Sequence, residues 1–267
     1  MQDALFPKEP PIPAPPASPA PSEPSAKRRG SKVLPFTHDE ALVALAGQLP
    51  PQLRMGGSSW SYPGWNGLVW DGEYGESKLS RDGLAAYARH PLFRSVCIDR
   101  TFYRALTTLQ YAHYAAQVPD DFRFVVKAPA AVTDATIRTE DGRAVQPNPL
   151  FLDADLAIGE FVRPALEGLG ARLGVLVFQL SPLPLPLLAD LPGVIARLKA
   201  MLQALPALRP DAPDAVVAVE VRDPEFLTPA FAQALREAGA TFCLGLQARM
   251  PPIAAQLPML RAMWPGP

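Results

Sequence analysis

Short apolar runs recur along this chain, and each ends abruptly in polar or charged residues. Continuous apolar runs of this length are typical of strands that are buried on both faces of a parallel sheet. In parallel α/β folds the binding site lies at the carboxyl ends of the strands. The pattern therefore predicts a site built from the residues that follow the runs, which are Asp99 after 96–98, Lys127 after 125–126, Gln179 after 175–178, and Glu220 and Arg222 after 216–219.

Segments with helical spacing separate these runs, so strands and helices alternate. The length of 267 residues and the hydrophobic content of 48% fit one large α/β barrel or two small domains. We count strand–helix units that begin with strands at residues 53–57, 95–98, 122–126, 175–178, 216–221 and 241–244. The predicted fold class is α/β with a parallel sheet.

Helix starts can be read from capping residues. The segment 130–149 has no sustained period and is predicted to be a long connection, and the residues after 244 a loop with at most one helical turn. The predicted N-caps are Thr37 with Glu40, Ser80 for a helix reaching about residue 90, Thr107 with Gln110, and Thr228 followed by Pro229.

The first 35 residues differ in composition from the rest. Proline, alanine and serine dominate them, and a basic run, Lys27, Arg28, Arg29 and Lys32, follows. Such a segment buries little apolar area and favours extended backbone, which predicts a disordered tail over 1–35 and a folded domain over 36–267. The basic run could contact phosphate groups or be a solvated part of the tail.

Charge and hydropathy narrow the class of protein. The net charge of −1 gives no global basic field for nucleic acid, so a nucleic-acid partner stays uncertain. No apolar run approaches the roughly 20 residues of a membrane helix, and no signal-peptide core follows the N-terminus. Cys97 and Cys243 lie in apolar runs and are interpreted as reduced core thiols of a cytoplasmic protein, with a disulfide or redox pair as the alternative.

No cofactor or metal is predicted. The loop after the first strand has neither GxGxxG nor GxxxxGK[ST], which disfavours a dinucleotide or P-loop site. The three histidines, His38, His90 and His113, lack metal-ligand spacing, and none lies at a strand end where a Ser-His-Asp triad could form.

Aromatic residues crowd the loop after the first strand. Trp60, Tyr62 and Trp65 could form a wall on which a flat ligand stacks, or they could simply pack over the strand ends. Tyr103 and Arg104 lie just beyond the second strand, where Arg104 could bind an oxyanion or form a surface ion pair.

Five motifs occur in an order that resembles the YecE-like family, domain of unknown function 72. They are MGGSSWSYPGW at 55–65, TFYR at 101–104, FVVKAP at 124–129, FQLSP at 178–182 and AVEVR at 218–222. The resemblance covers roughly residues 53–246. It implies a TIM barrel and no established activity.

The chain departs from the family pattern in three respects. The family usually carries glutamate and asparagine where this chain has Cys97 and Asp99, and histidine where it has Asp223. Family members also continue for two more strands. The resemblance therefore implies an incomplete barrel, about six of eight strands, that is a C-terminally truncated product or is covered by a partner.

Three functions remain open from the sequence, and the oligomeric state is undetermined. The first is an enzyme acting on a small anionic or polyhydroxylated, sugar-phosphate-like substrate. The second is a non-catalytic binder of phosphate or nucleic acid, and the third is a degenerate, inactive family member. The candidate catalytic residues are Lys127, Glu220 and Asp99, and the candidate binding residues are Arg222, Arg104, Gln179, Tyr103, Trp60, Tyr62 and Trp65. In the second function Trp60, Tyr62 and Trp65 would stack on bases and the basic tail would add affinity.

Overall fold

The structure, a computed structural model, describes residues 32–139 and 143–263. The tail predicted over 1–35, including Lys27, Arg28 and Arg29, lies almost entirely outside the described residues. The described chain packs from Val33 onward. Val33 is buried, and the backbone N–H of Phe36 donates to the carbonyl of Val69 at 2.9 Å.

Eight strands and eleven α-helices are found in the described residues. The strands are β1 (Met55–Gly57), β2 (Phe93–Ile98), β3 (Arg123–Lys127), β4 (Thr136–Arg138), β5 (Ala144–Pro147), β6 (Leu173–Gln179), β7 (Val216–Glu220) and β8 (Ala240–Phe242). The helices are α1 (Glu40–Gln48), α2 (Glu76–Asp82), α3 (Leu84–Tyr87), α4 (Thr108–Ala115), α5 (Ala130–Thr133), α6 (Ala154–Ala157), α7 (Arg163–Leu169), α8 (Leu185–Ala189), α9 (Leu191–Ala204), α10 (Pro229–Glu237) and α11 (Ile253–Ala262).

Six strands form one sheet in the order β1-β2-β3-β6-β7-β8, and every neighbouring pair is parallel. These are the six strands predicted from the apolar runs, so the α/β class with a parallel sheet is confirmed. Among the described residues β1 and β8 do not pair with each other, so the sheet is open rather than closed into a barrel. No helix in the described parts of the chain is long and apolar enough to cross a bilayer.

The two faces of the sheet have different surroundings. Side chains alternate between the faces of a strand, and one set, including Val96, Phe124 and Phe178, is buried in the hydrophobic core. The other set includes Cys97 and Lys127, which remain half-buried. The second face is also partly apolar, since Val177 and Ala218 on it are buried, which explains why the runs are continuous. Its polar groups lie toward the carboxyl ends of the strands.

The edge strand β1 lies unusually close to β2. A Cβ added to Gly56 would stand 1.9 Å from the carbonyl oxygen of Ser95. The Tyr87 hydroxyl ties the two strands together, because it donates to that same carbonyl at 3.1 Å and accepts from the N–H of Gly57 at 2.7 Å. Glycine at position 56 is thus required by the close approach of the two backbones.

The predicted helix caps have mixed outcomes. The capping box of Thr107 and Gln110 is confirmed with both of its hydrogen bonds, and Thr228 caps α10 as predicted. The N-cap of α1 is Asp39 and not Thr37, because the Asp39 carboxylate accepts from the N–H of Leu42. The prediction for Ser80 was wrong, since Ser80 lies inside α2.

Two segments predicted to be irregular contain regular structure. The stretch predicted as a connection over 130–149 holds α5 and the antiparallel pair of β4 and β5. The C-terminal stretch holds α11, whose Gln256 side chain is fully buried. That amide exchanges hydrogen bonds with both backbone groups of Gly245 and donates to the carbonyl of Pro251. This buried amide attaches α11 to the loop that follows β8.

Gly56→Ala should lower the free energy of unfolding by about 3 kcal/mol, since the new Cβ forces β1 away from β2. Gly72→Ala is the matched control, because no heavy atom lies within 4 Å of its added Cβ. Urea unfolding followed by circular dichroism measures both. Equal stability of the two variants would contradict the close approach.

His90 should make the protein less stable as pH falls. Its ring stacks on that of Phe93, with 4.0 Å between ring centroids, and packs edge-on against that of His38, with 4.4 Å between centroids. Its Nδ1 accepts a hydrogen bond from the N–H of Leu92. Burial, with a smaller effect of His38, lowers the pKa of His90 to about 4. The unfolded chain, with a pKa near 6.5, therefore binds the proton first, and stability is lost as pH falls from about 7 toward 4.

In His90→Phe the loss of stability between pH 7 and pH 5 should be smaller than in the unmodified protein, as measured by urea unfolding at both values. The phenyl ring can keep the stack on Phe93. An unchanged loss would contradict the assignment of this pH dependence to His90.

Candidate functional site

Polar side chains in or directly after five strands, β2, β3, β6, β7 and β8, meet at the carboxyl edge of the sheet. The register pairs Lys127 of β3 with Val177 of β6, and Gln179 of β6 with Glu220 of β7. Asp99 follows β2 directly, and its Oδ1 lies 3.1 Å from Nζ of Lys127. We call the following group the strand-edge cluster: Cys97, Asp99, Lys127, Gln179, Glu220, Arg222 and Cys243.

A second ion pair occupies the neighbouring part of the edge. Nη2 of Arg222 lies 2.7 Å from Oε1 of Glu220 and donates to Oε1 of Gln179 at 2.8 Å. The Glu220 side chain is 12% exposed and that of Arg222 is 21% exposed. Charges this far from bulk water need partners, and here β6 and the end of β7 supply them.

The charges of the strand-edge cluster balance. Two cations, Lys127 and Arg222, each pair with one carboxylate, and all four side chains remain between 12% and 39% exposed. Donors and acceptors therefore alternate along an edge that solvent can reach. That arrangement suits a ligand whose groups both donate and accept hydrogen bonds, such as a row of hydroxyls.

The two cysteines belong to the same cluster. The Cys97 thiol donates to Oδ1 of Asp99 at 2.9 Å, and burial together with this carboxylate raises the pKa of the thiol far above its usual range. Burial, assisted by Glu220, raises the pKa of Cys243 to about 11, against the opposite effect of Lys127 and Arg222. Both thiols are free and held protonated, so neither is an activated nucleophile.

Sequence reasoning placed these cysteines in the core, yet both are half-buried and adjoin the charged groups. The available signal was the spacing of Cys97 and Asp99, which puts the two side chains on one face of the chain. The sequence analysis also did not predict that Asp223 is buried, with 1% of the residue exposed. Its carboxylate accepts from the N–H of Leu183 at 2.7 Å and from Arg249 at 2.9 Å, joining loops beyond β6 and β8.

The aromatic residues of the loop after β1 differ in their exposure to solvent. Trp60 is buried, meets the ring of Tyr114 edge-on at 5.0 Å, and donates from Nε1 to the carbonyl of Ser80. Trp65 packs among buried rings, including that of Tyr87 at 6.0 Å. Tyr62 is 59% exposed, so only this ring of the three offers a broad open surface for stacking.

Tyr103 and Arg104 are not brought to the strand-edge cluster by any described contact. Tyr103 is 86% exposed and touches only the ring of Phe102 among the described aromatic contacts. Arg104 is exposed, and its backbone N–H bonds to the carbonyl of Arg100. Their roles in binding stay predictions.

Among residues 32–139 and 143–263, no three His, Cys, Asp or Glu side chains are grouped so that they could hold a metal ion. The chemistry that the strand-edge cluster itself offers is hydrogen bonding and proton transfer by its carboxylates, amine, guanidinium and amide.

Asp99→Asn should increase the rate at which Cys97 is alkylated. The amide removes the negative charge that raises the pKa of this thiol, so a larger thiolate fraction forms at pH 8. Cys243 is the internal control, because Asp99 is not among the groups that shift the pKa of this thiol. Iodoacetamide labelling with peptide mass spectrometry should show a severalfold faster reaction at Cys97 alone, and equal acceleration at both cysteines would contradict the Cys97–Asp99 contact.

Comparison with known proteins gives a family but no activity. A family model described as "Protein of unknown function DUF72" matches residues 54–265. A DUF72 family protein of Enterococcus faecalis V583 is 19% identical, with a TM-score of 0.43 over 71% of this chain and 59% of that one. A DUF72 family protein of Thermotoga maritima MSB8 is 21% identical, with a TM-score of 0.43 over 72% and 64%.

The chain thus spans about six-tenths of the length of these solved structures. No curated protein matches it.

Proposed function

The chain belongs to the DUF72, or YecE-like, family, and we propose that its strand-edge cluster binds a small polyhydroxylated compound and performs acid–base chemistry on it. One observation carries the proposal. Two ion pairs and an amide, contributed by separate parallel strands, share one partly exposed edge of the sheet.

Charge balance favours hydroxyl groups over a phosphate as the group recognised here. Each hydroxyl both donates and accepts, so it can bridge a carboxylate and a neighbouring cation without displacing either. A phosphate placed between Lys127 and Arg222 would face the carboxylates of Asp99 and Glu220, and this repulsion opposes its binding. A sugar or polyol therefore fits better than a simple anion.

The proposed roles follow from the contacts. Lys127 and Arg222 bind and orient ligand oxygens. The side-chain amide of Gln179, whose Oε1 accepts a hydrogen bond from Arg222, forms a hydrogen bond with a ligand hydroxyl. Glu220 and Asp99 are the carboxylates that accept a proton from the bound compound. Lys127 can protonate a developing alkoxide and then regain a proton from the protonated carboxyl of Asp99, whose Oδ1 lies 3.1 Å from its Nζ.

We also propose that the six-stranded sheet is part of a TIM-type barrel. Six strands in chain order, each parallel to the next and separated by helical segments, support it, with the carboxyl edge as the barrel mouth. The proposal also includes a folded domain over 36–267 and a cytoplasmic location, which the free thiols of Cys97 and Cys243 support.

The test is calorimetric titration with a panel of aldoses, polyols and sugar phosphates. At least one neutral polyhydroxylated compound should bind, and Glu220→Gln should weaken it about tenfold, since a neutral amide accepts more weakly than a carboxylate. Glu237→Gln is the matched control, because Glu237 is an exposed carboxylate of α10 that pairs with Lys199. It should bind as the unmodified protein does.

Incubation of the bound compound with the protein, followed by proton NMR, tests the catalytic half of the proposal. Product should form, and Asp99→Asn and Glu220→Gln should slow its formation. Binding without product would refute catalysis and support a non-catalytic binder. Absence of binding across the panel, or equal binding by Glu220→Gln and Glu237→Gln, would refute the site.

A further inference from the structure

We infer that a second pocket, which shares no lining residue with the strand-edge cluster, binds the phosphate group of a small phosphate monoester. It lies between α2, the 3₁₀ turn Asp99–Phe102 and α4, and has a volume of about 580 Å³. We call it the Arg100 pocket. The argument uses six of its lining residues, Ser77, Arg81, Arg100, Leu109, His113 and Tyr114.

The side chains that line the Arg100 pocket carry positive charge. Two guanidinium groups and an imidazole line it, and no carboxylate does. Nε of Arg81 lies 3.3 Å from Oδ1 of Asp82, a residue that does not line the pocket. Arg100 has no carboxylate partner among the described residues; its described side-chain bond is from Nη1 to the Tyr114 hydroxyl at 2.9 Å. An arginine has five donors in a planar fork that matches the oxygens of a phosphate.

The wall behind Arg100 is held in place by packing. Tyr114 is 8% exposed, and its ring meets Trp60 edge-on at 5.0 Å and Phe124 at 6.5 Å. Trp60 in turn donates to the carbonyl of Ser80, a residue of α2. The hydroxyl that accepts from Arg100 is therefore fixed between α2 and α4, which limits the ordering needed when a ligand binds.

The size and the apolar part of the pocket distinguish a phosphate monoester from free phosphate. A volume of about 580 Å³ lies in the range of pockets for small organic ligands. Leu109 of α4 lines the same pocket and is 82% exposed. An apolar side chain beside two guanidinium groups suits a ligand whose charged end binds arginine while its organic part covers the leucine.

Calorimetric titration at constant ionic strength, with inorganic phosphate and phenyl phosphate as probes, tests the inference. Both should bind, and phenyl phosphate should bind severalfold more tightly. Arg100→Gln should weaken both about tenfold by removing a charge-assisted contact. Leu109→Ser should remove the preference for phenyl phosphate and leave the affinity for inorganic phosphate unchanged.

Ser77→Asp separates binding from folding. Ser77 is exposed in the first turn of α2, where an aspartate is favourable to the helix, so the variant should melt as the unmodified protein does. Its new charge should abolish binding of both probes. Arg89→Gln, which changes an exposed arginine outside the pocket, is the matched control and should bind normally.

The inference is overturned if neither probe binds at concentrations up to about 10 mM, or if a folded Ser77→Asp protein binds as the Arg89→Gln control does. Equal affinities for the two probes, unaffected by Leu109→Ser, would overturn the monoester assignment. Because the two sites share no residue, either can fail without the other.

Discussion

The parallel register of the six-stranded sheet is the constraint on which the strand-edge cluster depends. It sets Lys127 opposite Val177 and Gln179 opposite Glu220, so that the polar residues at the ends of separate strands arrive at one edge. A slip of one residue in β3 would turn Lys127 toward the buried face, where Phe124 and Val126 now pack. Burial of that face therefore determines which polar groups reach the site.

Much of this arrangement could be predicted from the sequence. Apolar runs located all six strands of the main sheet, because a strand buried by helices must be continuously apolar. The general direction of parallel strands then implied that Lys127, Glu220 and Arg222 would converge. The pairing itself could not be derived, because the choice between Asp99 and Glu220 as the partner of Lys127 depends on side-chain positions that only the folded register defines.

The parts that could not be predicted depend on tertiary contacts. The helix α11 is attached through the buried amide of Gln256, an interaction that leaves no periodic apolar pattern in the sequence. Thr37 and Asp39 are both residue types that cap helices, and Asp39 is the N-cap of α1 because its carboxylate accepts from the N–H of Leu42. The role of Asp223 was hidden because its partners, Leu183 and Arg249, are distant along the chain.

Consecutive residues here serve chemically different surfaces. Asp99 pairs with Lys127 in the balanced strand-edge cluster, whereas Arg100, the next residue, lines the cationic pocket beside α4. Both lie in a 3₁₀ turn, in which successive side chains point about 120° apart. One short turn after β2 thus separates the proposed site for hydroxyl groups from the proposed site for a phosphate.

A crystal structure of the protein soaked with a neutral polyol or sugar that binds in solution would test the central claim most directly. The account predicts ordered ligand between Lys127 and Arg222, with ligand oxygens within hydrogen-bond distance of both cations and of the Glu220 carboxylate. Ligand density only elsewhere on the protein, or an ammonium of Lys127 and a carboxylate of Glu220 that face different sides of the sheet, would contradict it.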